Sequence, residues 1–385
     1  MNKLKVGIIG YGNMGTRHVD DIMEGKVPRM ELTAICDIAE DRQRVFKEKY
    51  PDIKIFESSD ELIESGICDT VIIAVWHYDH PPIAIKAFKH GLHVLIEKPA
   101  GVYTKQVKEM NEAAKSAKGI FGIMYNQRTN PAYQKLRNMV QSGELGHIKR
   151  ITWIITDWYR SQAYHDSSTW RSAWKTEGGG ALINQNPHQL DLWQWMFGMP
   201  DRIYSKVSFG KYYNIEVEDD VMAFFEYDNG TTGEYITSTG EAPGTNRLEV
   251  ACDMGKVVIE NSKFIFTKNE ISEREFNKIN TIPFGHPMHE DIVTPLDTNG
   301  EQHVGILKNF TDAALDGTEL LARGEDGIYG LTISNAIHLS AWTGETIDLN
   351  NFPDDKFYDA LQDKIKNSTL VKKESHLFAD TRGSY

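Results

Sequence analysis

Cysteine is scarce in this chain: three among 385 residues, Cys36, Cys68 and Cys252, far apart and with no CxxC pair. That spacing speaks against a disulfide scaffold and fits unbridged thiols in a reducing compartment. Long apolar runs are also missing. The opening MNKLKVGIIGYG has too short an apolar part for a signal peptide, and no stretch approaches the ~20 apolar residues of a membrane span. A cytoplasmic protein with no membrane contact is expected. Basic residues are in the minority, 42 Lys and Arg against 55 Asp and Glu, for a net charge of −13. With no positive excess to neutralise phosphates, a nucleic-acid partner is not expected. None of the 13 histidines belongs to an HExxH or Cys/His cluster, so no metal is implied.

What is present is a change of pattern along the chain. In the first 125 residues, short apolar runs (LKVGIIG, ELTAICD, TVIIAV, HVLIEK, IFGIMY) alternate with amphipathic stretches such as EDRQRVFKEKY. Alternation at this spacing predicts a doubly wound parallel sheet of the Rossmann type. Beyond residue 150, IKRITWIITDWY, DVMAFFEYDNGTTGEYITSTG, RLEVACDMGKVVIEN and KFIFTKN read as long antiparallel strands, with DNG as a hairpin turn. Helices are expected near 303–315 and 326–342. The fold class is therefore α/β: a nucleotide domain over 1–128, then an α+β domain over 129–350 with a large open, mainly antiparallel sheet. Residues 351–385 read as a polar, partly ordered extension. One face of the large sheet would need covering, which predicts a homodimer or homotetramer.

The run VGIIGYGNMGTRH places Gly10, Gly12 and Gly15 directly after a strand and at the start of a helix. The first glycine suits a tight turn, the second lets the backbone approach a pyrophosphate, and the third permits close helix–strand packing. Asp37 ends the second strand at about the ~20-residue spacing at which a carboxylate meets a ribose 2′-OH. Its competing role is to cap the helix that follows. Because a carboxylate repels a 2′-phosphate, NAD is favoured over NADP, with Arg42 and Arg44 nearby leaving some room for the phosphorylated form.

HVLIEKPAG sets Glu97, Lys98 and Pro99 at the carboxyl end of the HVLIEK strand, the edge where ligands bind in open α/β sheets. Further on, GGGALINQNPHQLDLWQW (178–195) opens with three glycines and continues with helical period, Leu190, Trp193 and Phe197 on one stripe. With this order of elements the chain resembles the Gfo/Idh/MocA family of sugar and polyol oxidoreductases over roughly residues 3–350. The resemblance rests on the EKP turn, AVWHYDHPPIAIKAFKHGLHVLIEKP, YNQR at 125–128 and the 178–195 run.

The resemblance implies that the 178–195 helix faces the nicotinamide, the glycines allowing backbone to approach the sugar. It assigns catalysis to Lys98 and His188, as oxyanion stabiliser and general acid/base. Asn184 stands where an aspartate is common in the family and Asn186 where glycine is common, so an Asp–His dyad does not carry over. Expected cofactor contacts are Gly10, Tyr11, Gly12, Asn13, Met14, Gly15, Asp37, Trp76, His77, His80, Glu97, Lys98 and Gln127. Expected substrate contacts are Lys98, Tyr125, Arg128, Trp158, Asn184 and His188, with Asp191 in support. Asn126, Gln127, Asn184, Gln185 and Asn186 offer amides suited to a ring of hydroxyls, and Trp153, Trp158 and Tyr159 an apolar platform, although each is equally suited to core packing. The implied activity is hydride transfer between NAD and a secondary hydroxyl of a sugar, glycoside or cyclic polyol, such as C3 of a pyranoside. Two other readings stay open: a glycosidase that retains NAD and oxidises transiently, and a noncatalytic NAD sensor that would need neither Lys98 nor His188.

Overall fold

The computed structural model describes residues 2–370. Its first half is built on β1 (Leu4–Ile9), α1 (Asn13–Met23), β2 (Met30–Cys36), α2 (Glu40–Lys49), β3 (Lys54–Phe56), α3 (Ser59–Glu64), β4 (Thr70–Ile73), α4 (His80–Lys89), β5 (His93–Ile96), α5 (Thr104–Lys115) and β6 (Phe121–Ile123). The six strands form one parallel sheet in the order β3-β2-β1-β4-β5-β6. Val6, Ile8, Val71, Ile72, Val94 and Leu95 are fully buried, as expected of strands covered by helices on both faces. The strand order reverses between β1 and β4, and the carboxyl ends beside that reversal carry Gly10, Asp37, Trp76 and Lys98. β3 is absent from the sequence reading because three residues carry no periodicity.

The second half contains α6 (Pro131–Gln141), β7 (Ile148–Ile155), α7 (Gln162–Asp166), α8 (Pro187–Phe197), β8 (Arg202–Phe209), β9 (Glu218–Glu226), β10 (Thr232–Ser238), β11 (Asn246–Cys252), β12 (Gly255–Glu260), β13 (Lys263–Asn269), α9 (Glu273–Ile279) and β14 (His289–Pro295). With β15 (Ile347–Asp348) these strands make a nine-stranded sheet, β14-β13-β12-β11-β7-β10-β9-β8-β15. All its pairs are antiparallel except β7 with β10, which run parallel. Tyr204, Met222 and Phe224 are exposed, and β8 and β9 bring them to one patch by pairing Tyr204 with Phe224.

The chain then turns back. α10 (Gln302–Asp316) packs on β1 and on the turn after β6, and Arg29 Nη1 donates to Asp312 at 2.7 Å. α11 (Gly327–Thr343) lies between α8 and β8, and also meets α5. The expected polar extension begins with a docked helix, α12 (Asp354–Lys366). Phe357 and Leu361, one turn apart, are fully buried, so the polar composition conceals a two-residue apolar stripe. Residues 371–385 lie outside the described region. No helix among the described residues is long and apolar enough to cross a membrane.

Candidate active site

At the end of β1 the chain turns through Gly10 into α1. A Cβ on Gly15 would lie 1.8 Å from the Gly10 carbonyl oxygen, so helix and turn meet only because Gly15 has no side chain. A Cβ on Gly12 would meet nothing within 4 Å. That open space lies at the N-terminus of α1, where Gly12 is the cap residue and contributes no side-chain cap. It is the cradle a pyrophosphate needs. Asp37 closes the same loop: Oδ2 accepts from Tyr11 N at 2.7 Å and Oδ1 from Ala39 N at 2.9 Å. The carboxylate thus caps the Ala39 turn, the role that competes with the expected ribose contact, and it stays partly exposed.

The turn after β5 is held by its neighbours. The Glu97 carboxylate meets His18 Nε2 at 2.7 Å and accepts from Lys98 N at 3.2 Å. Burial alone would raise its pKa, but the His18 contact and charge bring it to about 2. His80 Nδ1 lies 2.8 Å from the Pro99 carbonyl and Nε2 3.1 Å from that of Val75. Glu97 and His80, expected at the cofactor, hold the Lys98–Pro99 turn. Lys98 Nζ then donates to the Asn184 carbonyl at 2.8 Å, and burial lowers its pKa to about 8.

His188 is in the first turn of α8, buried, and neither ring nitrogen has a hydrogen-bond partner. Burial, then the charge of Lys98, hold its pKa well below the ordinary imidazole range, so it is neutral. The ring thus keeps two unused nitrogens in the field of the Lys98 charge. The Tyr125 ring meets it edge-on at 6.3 Å.

The glycines before α8 do a different job from the one expected. A Cβ on Gly178, at φ +84°, would fall 2.3 Å from Val102 Cγ1, and one on Gly180 would fall 2.2 Å from the Glu218 carbonyl oxygen. They let this segment press against protein, not against sugar. Glu218 accepts from Gly180 N and Leu182 N, both at 2.8 Å, and so anchors the π-helical turn 181–185 that delivers α8.

Several expected substrate contacts are engaged elsewhere. Arg128 is fully buried: Nε and Nη2 grip Asp191 at 2.9 and 2.6 Å, and Nη1 reaches Asp326 at 2.8 Å and the Leu321 carbonyl at 3.0 Å. Arg128 and Asp191 therefore tie the fold together and are unavailable to substrate. Asn186 Nδ2 donates to Thr237 Oγ1 at 2.9 Å within the core, and Trp153 is wholly buried. Asn126 Nδ2 donates to Gln302 at 2.6 Å, and Gln127 reaches the same oxygen at 3.4 Å.

Asn184 does not turn to His188. Its amide Nδ2 donates to Glu177 Oε1. Glu177, overlooked in the sequence although it directly precedes the triple glycine, is buried and also accepts from Ser172 N. Burial raises its pKa to about 7. His77 Nδ1 lies 2.8 Å from the Glu177 carbonyl, and the His77 ring meets Trp170 edge-on at 5.2 Å. Trp76, exposed at the rim, stacks on Trp170 at 6.4 Å. Tyr164, likewise unremarked in the sequence, accepts at its hydroxyl from Gln185 Nε2 at 3.1 Å and Arg171 Nη1 at 2.6 Å. The guanidinium of Arg160 lies over the half-buried Trp158 ring at 5.7 Å. No group of three or more His, Cys, Asp or Glu among the described residues is arranged to hold a metal.

Comparison with known proteins agrees with this layout. Residues 4–125 match the family described as "Oxidoreductase family, NAD-binding Rossmann fold", and residues 133–258 match the "GFO/IDH/MocA C-terminal domain". The chain belongs to the Gfo/Idh/MocA family. Its NAD-binding domain is the first of the two matched regions, where the Gly12 cradle and Asp37 lie. Relatives within the family include a myo-inositol 2-dehydrogenase of Thermotoga maritima, 24% identical over 86% of this chain and 95% of that protein. A levoglucosan dehydrogenase of Pseudarthrobacter phenanthrenivorans is 24% identical over 91% of this chain and 99% of its own. Among solved structures, the WlbA dehydrogenase of Bordetella pertussis, in complex with NADH and UDP-GlcNAcA, shares the fold with a TM-score of 0.75. It is 22% identical and covers 90% of this chain and 99% of that one.

Proposed function

We propose that this Gfo/Idh/MocA oxidoreductase moves a hydride between NAD and a secondary ring hydroxyl of a sugar, glycoside or cyclic polyol, such as C3 of a pyranoside. The carrying observation is His188: buried, neutral, unpartnered on both ring nitrogens, and within the field of the Lys98 ammonium at the carboxyl edge of the first sheet. Bound NAD supplies the hydride acceptor. The protein's part is the proton and the charge. A neutral imidazole takes the hydroxyl proton as the carbinol is oxidised. Lys98 donates a hydrogen bond to the reacting oxygen, stabilising the negative charge that develops there. The Asn184 carbonyl that receives Nζ aims the ammonium. The dehydrogenase relatives support a sugar or polyol as substrate. The exposed Tyr204, Met222 and Phe224 on the outer sheet face support a homo-oligomer.

The test is net NADH formation at 340 nm on sugars, glycosides and inositol. Lys98→Ala should lower kcat by about 10²–10³, the usual cost of losing one donor aimed at developing charge, while leaving the Kd for NADH within a few-fold. Turnover without net NADH release would instead indicate a glycosidase that retains its cofactor. Near-normal turnover in Lys98→Ala would remove the assignment.

A further inference from the structure

Two arginines close to the Asn184–Gln185 segment have no ion-pair partner. Arg171 is buried, yet neither it nor Arg160 forms an ion pair among the described residues, and the Nε of each is buried without a partner. Their environment is aromatic. The Arg171 guanidinium lies 4.4 Å from the Tyr164 ring and 4.7 Å from that of Trp170. That of Arg160 lies 5.1 Å from the same Tyr164 ring. The place is the site itself: Tyr164 is bonded to Gln185, and the preceding residue, Asn184, holds Lys98. Burial is the main cause of the lowered Lys98 pKa, and both guanidinium charges add to it.

The nearby acid does not offset this charge. Glu177 feels Arg171, but its oxygens are taken by Ser172 N and Asn184 Nδ2, and burial leaves it protonated about half the time near neutrality. The ionised Glu97 lies against Lys98, so the two guanidinium charges are left with one half-ionised carboxyl, Glu177, in buried surroundings. A buried guanidinium stacked on rings still carries unused N–H donors, and its fork matches planar or tetrahedral oxyanions. Neutral hydroxyls would leave that charge unmet.

We infer that the sugar substrate carries an anionic group, a carboxylate or a phosphate ester, which Arg171 and Arg160 hold while its reacting hydroxyl faces Lys98 and His188. This rests on the dehydrogenase reading above and narrows it from sugars in general to acidic sugars. Arg171 supplies the buried, geometry-defining contact, and Arg160 the contact nearer solvent.

The experiment compares matched pairs on the full chain with NAD, methyl β-glucoside against methyl β-glucuronide and glucose against glucose 6-phosphate, with myo-inositol as a further neutral ligand. Wild type should favour one anionic sugar over its neutral counterpart by about 100-fold in kcat/KM, and which one distinguishes carboxylate from phosphate. Arg171→Met should erase most of that preference through KM, with Arg171→Lys recovering part of it. Calorimetric titration of the NADH-loaded protein with the same ligands reads binding without turnover. If no sugar is oxidised but the anionic ligand binds wild type and not Arg171→Met, the anion site stands and the dehydrogenase reading falls. If glucoside or inositol is oxidised as well as or better than both anions, the inference is overturned and the dehydrogenase reading survives. Equal binding of neutral and anionic sugars by wild type likewise overturns it.

Discussion

The two glycine-rich segments of this protein look alike in sequence and act in opposite ways. At 10–15 the glycines leave a space that protein does not fill, beside Gly12, whereas at 178–180 they allow protein to fill every space, against Val102 and Glu218. The first is a ligand's cradle and the second a packing joint. The difference shows that a glycine run reveals close approach but not what approaches. Only the partner across the gap decides between cofactor and core.

Breaking the packed side should cost most. Arg128→Ala would strand the Asp191 carboxylate in the core on α8, and removal of one partner from a buried ion pair typically costs about 3–5 kcal/mol. Thermal unfolding monitored by circular dichroism measures it, and a Tm within a degree or two of wild type would contradict the structural role. Gly178→Ala comes next: a left-handed φ and a 2.3 Å contact together should cost about 2–4 kcal/mol. Gly12→Ala is its counterpart. The added methyl meets only open space, so Tm should stay near wild type while the Kd for NADH, followed by fluorescence, weakens at least tenfold. Similar Tm losses in both variants would dissolve the contrast.

Smaller effects concern charge. In alcohol oxidation, kcat should fall above about pH 8. Burial has lowered the Lys98 pKa to that value, and as pH rises through it the ammonium that stabilises the reacting oxygen is lost. Lys98→Arg, charged at any accessible pH, should remove this alkaline limb whatever its absolute rate. An unchanged limb would assign it to another group. Asp37→Ser should narrow the preference for NAD over NADP by roughly tenfold, because the repulsion of a 2′-phosphate is removed while Tyr11 N and Ala39 N lose their acceptor. Wild type with the higher kcat/KM for NADP would reverse the reading of Asp37.

The same contrast explains how far the chain can be read without its structure. The first sheet, the Gly10–Gly15 turn and Asp37 are legible because each works through neighbours close in sequence. Lys98 and His188 are visible through family resemblance, and in the structure the Lys98 charge acts on the buried His188 ring. Arg128, Asn184 and Asn186 mislead a reader of the sequence because their partners, Asp191, Glu177 and Thr237, are chosen by tertiary packing that no local spacing encodes. Glu177 has a local sign, an acid directly before three glycines, but nothing in one sequence says that such an acid is buried. α12 is hidden for a related reason: a helix whose only fully buried side chains are Phe357 and Leu361 reads as polar.

Arg128, useless to a substrate, has a bearing on rate. It springs from the turn after β6, the last strand of the cofactor sheet, and grips Asp191, one turn beyond His188 on α8. A fully buried strut therefore ties the turn after β6 to α8, three residues beyond His188. The separation between the base and the sheet edge bearing Lys98 is set when the chain folds, and need not be found anew at each encounter. On the proposed function, a substrate hydroxyl would then meet its proton acceptor at high effective molarity, with the ordering entropy already spent.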